Sequence, residues 1–163
     1  HSLGRPSRSD FVQFEFGGIA VYENYSRQSL PTKEYRELLG SALCVFSSNN
    51  GFIIENIINT DDSFNWYDLI DKESGLLRKC ISDTISNKTG NKEIENLFLE
   101  IVNMRNRIIH GFRITSKQGE QVLATKTLKK DGNTQFEITI EYLMDFILKN
   151  EKLGDLLHEY RGY

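Results

Sequence analysis

Residues 92–112 read KEIENLFLEIVNMRNRIIHGF, a strongly periodic stretch of this 163-residue chain. At about 100° per residue, its apolar side chains fall within an arc of roughly 120°. The arc comprises Ile94, Leu97, Phe98, Ile101, Met104, Ile108 and Phe112. The stretch therefore predicts a helix over about residues 92–112, with one face turned toward a core or a partner.

Arg105 falls inside this apolar arc, whereas helical spacing directs His110 about 140° away from it. A buried guanidinium without partners is costly. Arg105 therefore either pairs with an acidic side chain of a neighbouring helix, or lies at the edge of a packed surface with its donors free to grip phosphate oxygens. His110 either interacts with the last carbonyls of the helix, with Gly111 as the stop signal, or transfers protons near neutral pH.

Composition and charge narrow the class of protein. Hydrophobic residues make up 39% and charged residues 26% of the sequence, values typical of an ordinary soluble globular domain. The net charge of −3 supplies no basic field that attracts nucleic acid, so such binding depends on a local patch or on a patch doubled by dimerisation. No apolar run reaches the length of a transmembrane helix, and we expect a cytoplasmic protein without a membrane partner.

The cysteines and histidines offer few candidates for metal binding. Cys44 and Cys80 lie in separate apolar helical patterns without CxxC spacing, and are predicted to be small buried thiols in a reducing cytosol. His1 and His158 lie near the chain ends, which leaves His110 as the best candidate for chemistry near neutral pH. We expect neither a metal nor another cofactor.

Turn residues and apolar spacing predict the elements of the N-terminal part. Residues 1–10 are predicted to be a flexible lead-in or the remnant of a tag, and residues 11–23 a β-hairpin. Thr32 is the predicted N-cap of a helix. That helix either continues past the polar residues 47–50 as one long helix or breaks at Gly51, and the break is the favoured alternative.

The remaining elements follow from the same signals. We expect a loop at 59–65, a helix at 66–86, a turn at 87–91, a hairpin at about 121–140 and a final helix at about 141–158. The sequence thus predicts a mainly α fold for a single domain at 11–163. Its form is an antiparallel bundle of four or five helices with two β-hairpin additions.

The segment from Arg105 to Phe112 resembles the signature of the HEPN domain superfamily. Members of this superfamily include toxins of toxin–antitoxin pairs, abortive-infection proteins and nuclease parts of CRISPR-associated effectors. Their signature is an arginine and a histidine four to six residues apart, often with a polar residue directly after the arginine. Here the gap is four residues, the polar residue is Asn106, and the motif continues into Gly111-Phe112.

The resemblance has a defined extent. The topological likeness covers roughly residues 32–160, whereas the specific signal is confined to 105–112. In one subgroup of HEPN toxins, a tyrosine two positions after the histidine is modified by a partner nucleotidyltransferase. Phe112 occupies that position here and has no hydroxyl, which excludes that form of regulation.

The resemblance implies metal-independent endoribonuclease activity, in bacterial defence or a toxin system. The ribose 2′-hydroxyl attacks the neighbouring phosphate and leaves a 2′,3′-cyclic phosphate and a 5′-hydroxyl. His110 is then the general acid or base, and Arg105 stabilises the charge on the phosphoryl oxygens. Asn106 orients His110 or a phosphate oxygen.

The resemblance also implies partners. HEPN proteins usually dimerise, so that two motif helices share one cleft, and an antitoxin or a fused sensor domain is a further expected partner. Dimerisation doubles the local positive charge available for RNA phosphates. The candidate RNA-binding residues are Arg107, Arg113, Lys126, Lys129 and Lys130.

Two alternatives to the enzyme stay open at the level of sequence. The first is a non-catalytic HEPN-like module of a larger protein, which dimerises or binds RNA or protein. The second is a structural helical domain with a chance motif, in which Arg105 pairs with an acid and His110 faces solvent.

Overall fold

The computed structural model describes Glu23 and residues 26–162. Contacts between Cα atoms divide the chain into a unit of residues 1–30 and a unit of residues 31–163. The predicted lead-in at 1–10 and the predicted hairpin at 11–23 lie outside the described residues, apart from Glu23 at the edge of the hairpin. All elements named below belong to the second unit.

The second unit consists of helices and one small antiparallel sheet, so the prediction of a mainly α fold is confirmed. The helices are α1 (Lys33–Thr60), α2 (Trp66–Ile70), α3 (77–89), α4 (Glu93–Ile109) and α5 (Ile140–Arg161). Within α3, a π-helical turn at Ser82–Ser86 joins the α-helical turns Leu77–Ile81 and Asn87–Thr89. The strands are β1 (Phe112–Thr115), β2 (Gln121–Lys126) and β3 (Gln135–Ile138), in the order β1-β2-β3.

Helix α1 is continuous, so the favoured break at Gly51 is wrong. Its N-cap is Thr32 as predicted, because the Tyr35 backbone N–H donates to Thr32 Oγ1 at 3.2 Å. A glycine inside a helix costs only about 1 kcal/mol. The polar residues before it do not end the helix, because they bind neighbouring elements. Asn49 Nδ2, for example, donates to the Asn150 backbone oxygen of α5 at 2.7 Å.

The segment predicted as one helix over 66–86 is interrupted. Helix α2 begins after Asn65, whose Oδ1 accepts hydrogen bonds from the backbone N–H groups of Tyr67 at 2.8 Å and Asp68 at 3.3 Å. It ends at Ile70, and a 3₁₀ turn at Ser74–Leu76 precedes α3. The interruption falls at residues 71–73, which are all polar and exposed. A helix through this segment would therefore have no apolar side chain to bury here.

Helix α4 is three residues shorter at its C-terminus than predicted, and the chain then enters a strand that the sequence analysis missed. His110 is the C-cap, and Phe112 begins β1 with 46% of its surface exposed. Phe112 therefore does not belong to the buried arc.

The predicted hairpin at 121–140 is confirmed as β2 and β3, which are antiparallel and pair Leu123 with Ile138. Both cysteines were predicted to be buried, but Cys44 is exposed and only Cys80 is buried.

The helices are not all antiparallel, contrary to the prediction. Between α1 and α5 the contacts advance together along both helices: Phe46 stacks on Phe146, and Phe52 lies against His158. The two helices therefore run parallel. Helices α4 and α5 are antiparallel, as shown by the ion pair of Glu100 with Lys149 and by the bond from the Tyr142 hydroxyl to the Met104 carbonyl.

Tyr35 joins α1 to the sheet. Its hydroxyl donates to the Ile138 carbonyl oxygen at 2.7 Å and accepts from the Leu123 N–H at 3.3 Å. Burial raises the pKa of Tyr35, so the phenol keeps the proton that it donates. One side chain thereby satisfies two backbone groups at a paired position of β2 and β3.

Gly111 makes the junction between α4 and the sheet. A Cβ atom at this position would lie 2.9 Å from the Ile108 carbonyl oxygen and 3.3 Å from the Ala124 carbonyl oxygen. It would also lie 3.3 Å from Ile138 Cδ1. The absence of a side chain lets the end of the motif helix pack directly on β2 and β3.

We predict that Gly111→Ala destabilises the protein by about 1–3 kcal/mol, because the new methyl group meets backbone atoms that cannot move independently. Gly40→Ala is the matched control. Gly40 is exposed within α1, nothing lies within 4 Å of its ideal Cβ, and alanine should stabilise the helix by about 0.5–1 kcal/mol. Urea unfolding of the two variants measures both effects. Equal stability changes would contradict the steric role of Gly111.

Candidate functional site

The three predicted catalytic residues line one cleft of about 670 Å³. Arg105, Asn106 and His110 contribute the α4 side of this cleft, which we call the motif cleft. Asn50 of α1 and Ser74 of the 3₁₀ turn contribute to the opposite side. A single chain therefore brings the three residues together.

On a regular helix Arg105 and His110 lie about 140° apart. The backbone keeps this relation, because the His110 N–H still donates to the Asn106 carbonyl at 3.0 Å. Ile109 and Asn106 fall between them, at about 40° and 100° from Arg105, and both line the same cleft. The motif cleft therefore spans a wide arc of α4 that extends from Arg105 to His110.

Arg105 is held by neutral partners rather than by an acid. Its Nη2 donates to Asn106 Oδ1 at 2.7 Å and its Nη1 to Ser74 Oγ at 3.4 Å. The guanidinium carbon lies 4.9 Å from the ring centroid of Phe46, within the range of a cation–π contact. Among the described residues no carboxylate forms an ion pair with Arg105, so the ion-paired alternative is not observed.

The guanidinium of Arg105 retains unused hydrogen-bonding capacity. Its Nε is buried and has no hydrogen-bond partner in the described part of the chain. Burial lowers the pKa of Arg105, and the nearby Glu73 carboxylate opposes this shift. Because each terminal nitrogen carries two hydrogens, one hydrogen on Nη1 and one on Nη2 remain for an anion.

Asn106 acts on Arg105 rather than on His110. Its Oδ1 accepts the 2.7 Å bond from Arg105 Nη2, which fixes the plane of the guanidinium. The expected orientation of His110 by this amide is not seen. Asn106 also lines a second cavity of about 290 Å³, which lies between α4 and the connection of β2 to β3. We call this second space the hairpin cavity.

His110 combines a structural backbone with an exposed side chain. Its backbone N–H donates to the Asn106 carbonyl at 3.0 Å, and the Gly111 N–H donates to the Ile108 carbonyl at 3.0 Å, which closes the helix. The imidazole is exposed and makes no hydrogen bond to a described residue. The stop-signal role of Gly111 and a free imidazole therefore coexist.

The five predicted RNA-binding cations differ in their contacts with the two spaces. Arg107 and Lys130 line the hairpin cavity, and Arg107 Nη1 also donates to the Lys126 carbonyl at 2.8 Å. Lys126 Nζ donates to Asn133 Oδ1 at 2.7 Å, and Arg113 is hydrogen-bonded to Gln121. Arg113, Lys126 and Lys129 line neither the motif cleft nor the hairpin cavity. Of the five, Arg107 and Lys130 therefore lie where a ligand in the hairpin cavity would meet them.

Sequence reasoning missed the residues that hold Arg105 in place. Ser74 Oγ donates to Asn50 Oδ1 at 3.1 Å and accepts from Arg105, so a polar chain crosses the motif cleft to α1. The available signal was the polar interruption of the apolar pattern near Asn50. On the sequence alone, that interruption predicts a helix break and not a cleft wall.

The described residues contain neither a cluster of metal ligands nor a membrane-spanning helix. In the described part of the chain, no three His, Cys, Asp or Glu side chains cluster closely enough to bind a metal ion. Within the same residues, no helix has the length and apolarity needed to cross a membrane.

Comparison with known proteins adds no relative: no family model, no curated protein and no solved structure matches this chain significantly. The motif residues and the geometry of the motif cleft are therefore the features that bear on function.

We predict that Arg105→Met leaves the free energy of unfolding unchanged or raises it by up to about 1 kcal/mol, because methionine fills the space of the stem without an unpaired buried donor. The matched control is Arg78→Met. Arg78 Nε lies 3.4 Å from Oε2 of the buried Glu95, and its loss should cost about 1–3 kcal/mol by leaving that carboxylate with fewer partners. Chemical denaturation measures both. A loss of about 2 kcal/mol or more at Arg105 would assign it a structural role.

Proposed function

We propose that this chain is a metal-independent endoribonuclease of the HEPN type, acting in the cytoplasm in defence or as a toxin. The observation that carries the proposal is the state of Arg105. Its guanidinium is partly buried in the same cleft as His110 and has no carboxylate partner among the described residues. A guanidinium with spare donors and no carboxylate partner is suited to bind phosphate oxygens in two places.

The fold agrees with the resemblance in its coarse features. The second unit is mainly helical, and the Arg105–His110 motif lies at the C-terminal end of a long helix. The three-stranded sheet that follows is an addition to a plain helical bundle. Its first strand begins directly after Gly111, so the sheet helps to hold the end of the motif helix.

The proposed reaction needs two proton transfers and no metal. The 2′-oxygen of the substrate attacks the adjacent phosphorus while its proton passes to a base, and the bond from phosphorus to the 5′-oxygen breaks as that oxygen takes a proton from an acid. His110 performs one of these transfers. The free hydrogens on Nη1 and Nη2 of Arg105 bind two phosphoryl oxygens as negative charge increases on them.

The second proton-transfer group would come from a second copy of the chain. A two-fold dimer brings two motif clefts together, so that one His110 acts as base and the other as acid. Apolar surface beside the motif supports this arrangement. Ile109 is 57% exposed and Ile70 is 43% exposed, and both line the motif cleft. A second copy that covers this cleft would bury both side chains, which favours association.

We predict that His110→Ala or Arg105→Ala lowers RNA cleavage by at least about 100-fold while the protein stays folded, because a general acid–base group and an electrostatic group each contribute about that much. His158→Ala is the matched control, since this exposed histidine lies on α5, away from the motif cleft. Wild-type cleavage in EDTA should leave 2′,3′-cyclic phosphate ends. Undiminished cleavage by a folded His110→Ala protein would exclude the catalytic role.

We predict that light scattering at micromolar concentration gives twice the chain mass of 18.8 kDa. Ile109→Glu should convert the dimer to monomer and lower cleavage with it, because a charge in an apolar interface is costly. Leu148→Glu, at a residue of α5 that is 55% exposed, is the control and should change neither. A fully active monomer would rule out the shared site.

A second candidate function is a non-catalytic module that binds RNA or protein through the same surface. The internal hydrogen bonds of Arg105 to Ser74 and Asn106 favour it, because they show that the side chain is positioned without a ligand. RNA binding without new chain ends, in both wild-type and His110→Ala proteins, would identify this module.

A further inference from the structure

We propose that the hairpin cavity is a nucleotide-base subsite, which binds the base of a ribonucleotide next to the phosphate held in the motif cleft. This inference builds on the proposed function, since it names a recognition site for the same substrate. The base would be splayed out of the single strand, as is common in sequence-specific RNA recognition. The sheet thereby gains a role in substrate recognition.

The interior of the hairpin cavity has the chemistry that a base requires. Four apolar or aromatic side chains line it: Met104, Leu128, Phe136 and Tyr142. The Phe136 and Tyr142 rings lie with centroids 5.9 Å apart and planes inclined by 49°. Such rings offer a π-face on which a base can stack, at a contribution of roughly 1–3 kcal/mol per base.

The aromatic wall is held in position without a ligand. The Tyr142 hydroxyl donates to the Met104 carbonyl at 3.2 Å, which fixes the ring against α4. Burial raises the pKa of Tyr142 to about 12, so the ring stays neutral across the physiological range. A preformed wall lowers the ordering cost of binding a small planar ligand.

Polar side chains at the rim of the hairpin cavity can form hydrogen bonds with a base edge and attract a phosphate. Asn103 and Asn106 present amides, which can donate to and accept from a base edge. Arg107 and Lys130 supply positive charge, which the Asp131 carboxylate of the same lining offsets in part. The bond from Arg107 Nη1 to the Lys126 carbonyl leaves the other donors of Arg107 available. The cavity volume of about 290 Å³ lies near the lower end of the range for small-molecule sites.

Asn106 connects the two spaces, because it lines both the motif cleft and the hairpin cavity. Its neighbours divide between them: Arg105 lines the motif cleft and Arg107 lines the hairpin cavity. A phosphate at Arg105 and a base beyond Asn106 can therefore belong to one nucleotide or to two consecutive ones. This continuity favours RNA over an unrelated small molecule.

The test is direct titration of the intact ¹⁵N-labelled protein with each of the four ribonucleoside 5′-monophosphates, up to about 10 mM, followed by NMR. At least one nucleotide should shift the amide signals of residues 103–107 and 127–131, and should do so at lower concentration than ribose 5-phosphate. Asn103→Phe, which fills the rim from an exposed helical position, should weaken that binding at least about tenfold.

Asn96→Phe is the matched control, because Asn96 is exposed on the same helix two turns earlier and lines neither space. It should change the affinity by less than about twofold. Equal effects of Asn103→Phe and Asn96→Phe would overturn the proposal. So would equal shifts with ribose 5-phosphate, which would mean that only charge is recognised. If the cavity binds a side chain of another protein instead, none of the four nucleotides should shift the amide signals. That result would also overturn the proposal.

The same variants separate this inference from the proposed function. Sequencing the ends of cleaved random RNA should show a base preference beside the cut, lost in Asn103→Phe and kept in Asn96→Phe. Nucleotide binding without any cleavage would reject the ribonuclease and keep the base subsite. Cleavage without base preference, together with no nucleotide binding, would keep the ribonuclease and reject the subsite.

Discussion

The close approach of Gly111 to the sheet is the constraint on which the site depends. At this point the chain leaves helix α4 and enters β1, with room for a backbone but not for a Cβ. The junction directly follows the end of the helix at Ile109 and its C-cap His110. It also brings β2 and β3 against α4, beside the hairpin cavity. The residues of α4 that line both spaces are thus held against the sheet at this point.

The second constraint is electrostatic. A guanidinium at the edge of the core loses hydration, and Phe46, Ser74 and Asn106 replace only part of it. Glu95 shows the contrast within the same helix. Burial raises the pKa of its carboxyl group, but hydrogen bonds from Ser86, Ser82 and Arg78 outweigh this effect and hold the pKa below its ordinary value. The Glu95 carboxylate is thus stabilised by several hydrogen bonds, whereas the Arg105 guanidinium keeps donors that a ligand could use.

The sequence predicts the structure correctly where the spacing of apolar residues and the local turn residues are the only determinants. The α4 core face, the Thr32 cap and the pairing of β2 with β3 are of this kind. It failed where a tertiary contact overrides the local signal. The polar residues near Gly51 resemble a helix end, but Asn49 and Asn50 bind α5 and the 3₁₀ turn instead. The cleft that Arg105 and His110 share was also beyond a helical wheel, because its other wall comes from Asn50 and Ser74, which are distant in sequence.

The parallel packing of α1 and α5 has a consequence for the timing of assembly. Asn49 and Asn150 are 101 positions apart in sequence, and Tyr35 and Ile138 are 103 positions apart. Contacts of such long range form late, because the chain must first close a large loop. During synthesis, α1 and its wall of the motif cleft therefore wait for α5 to leave the ribosome. The packing that supports this cleft is complete only after both helices have been made.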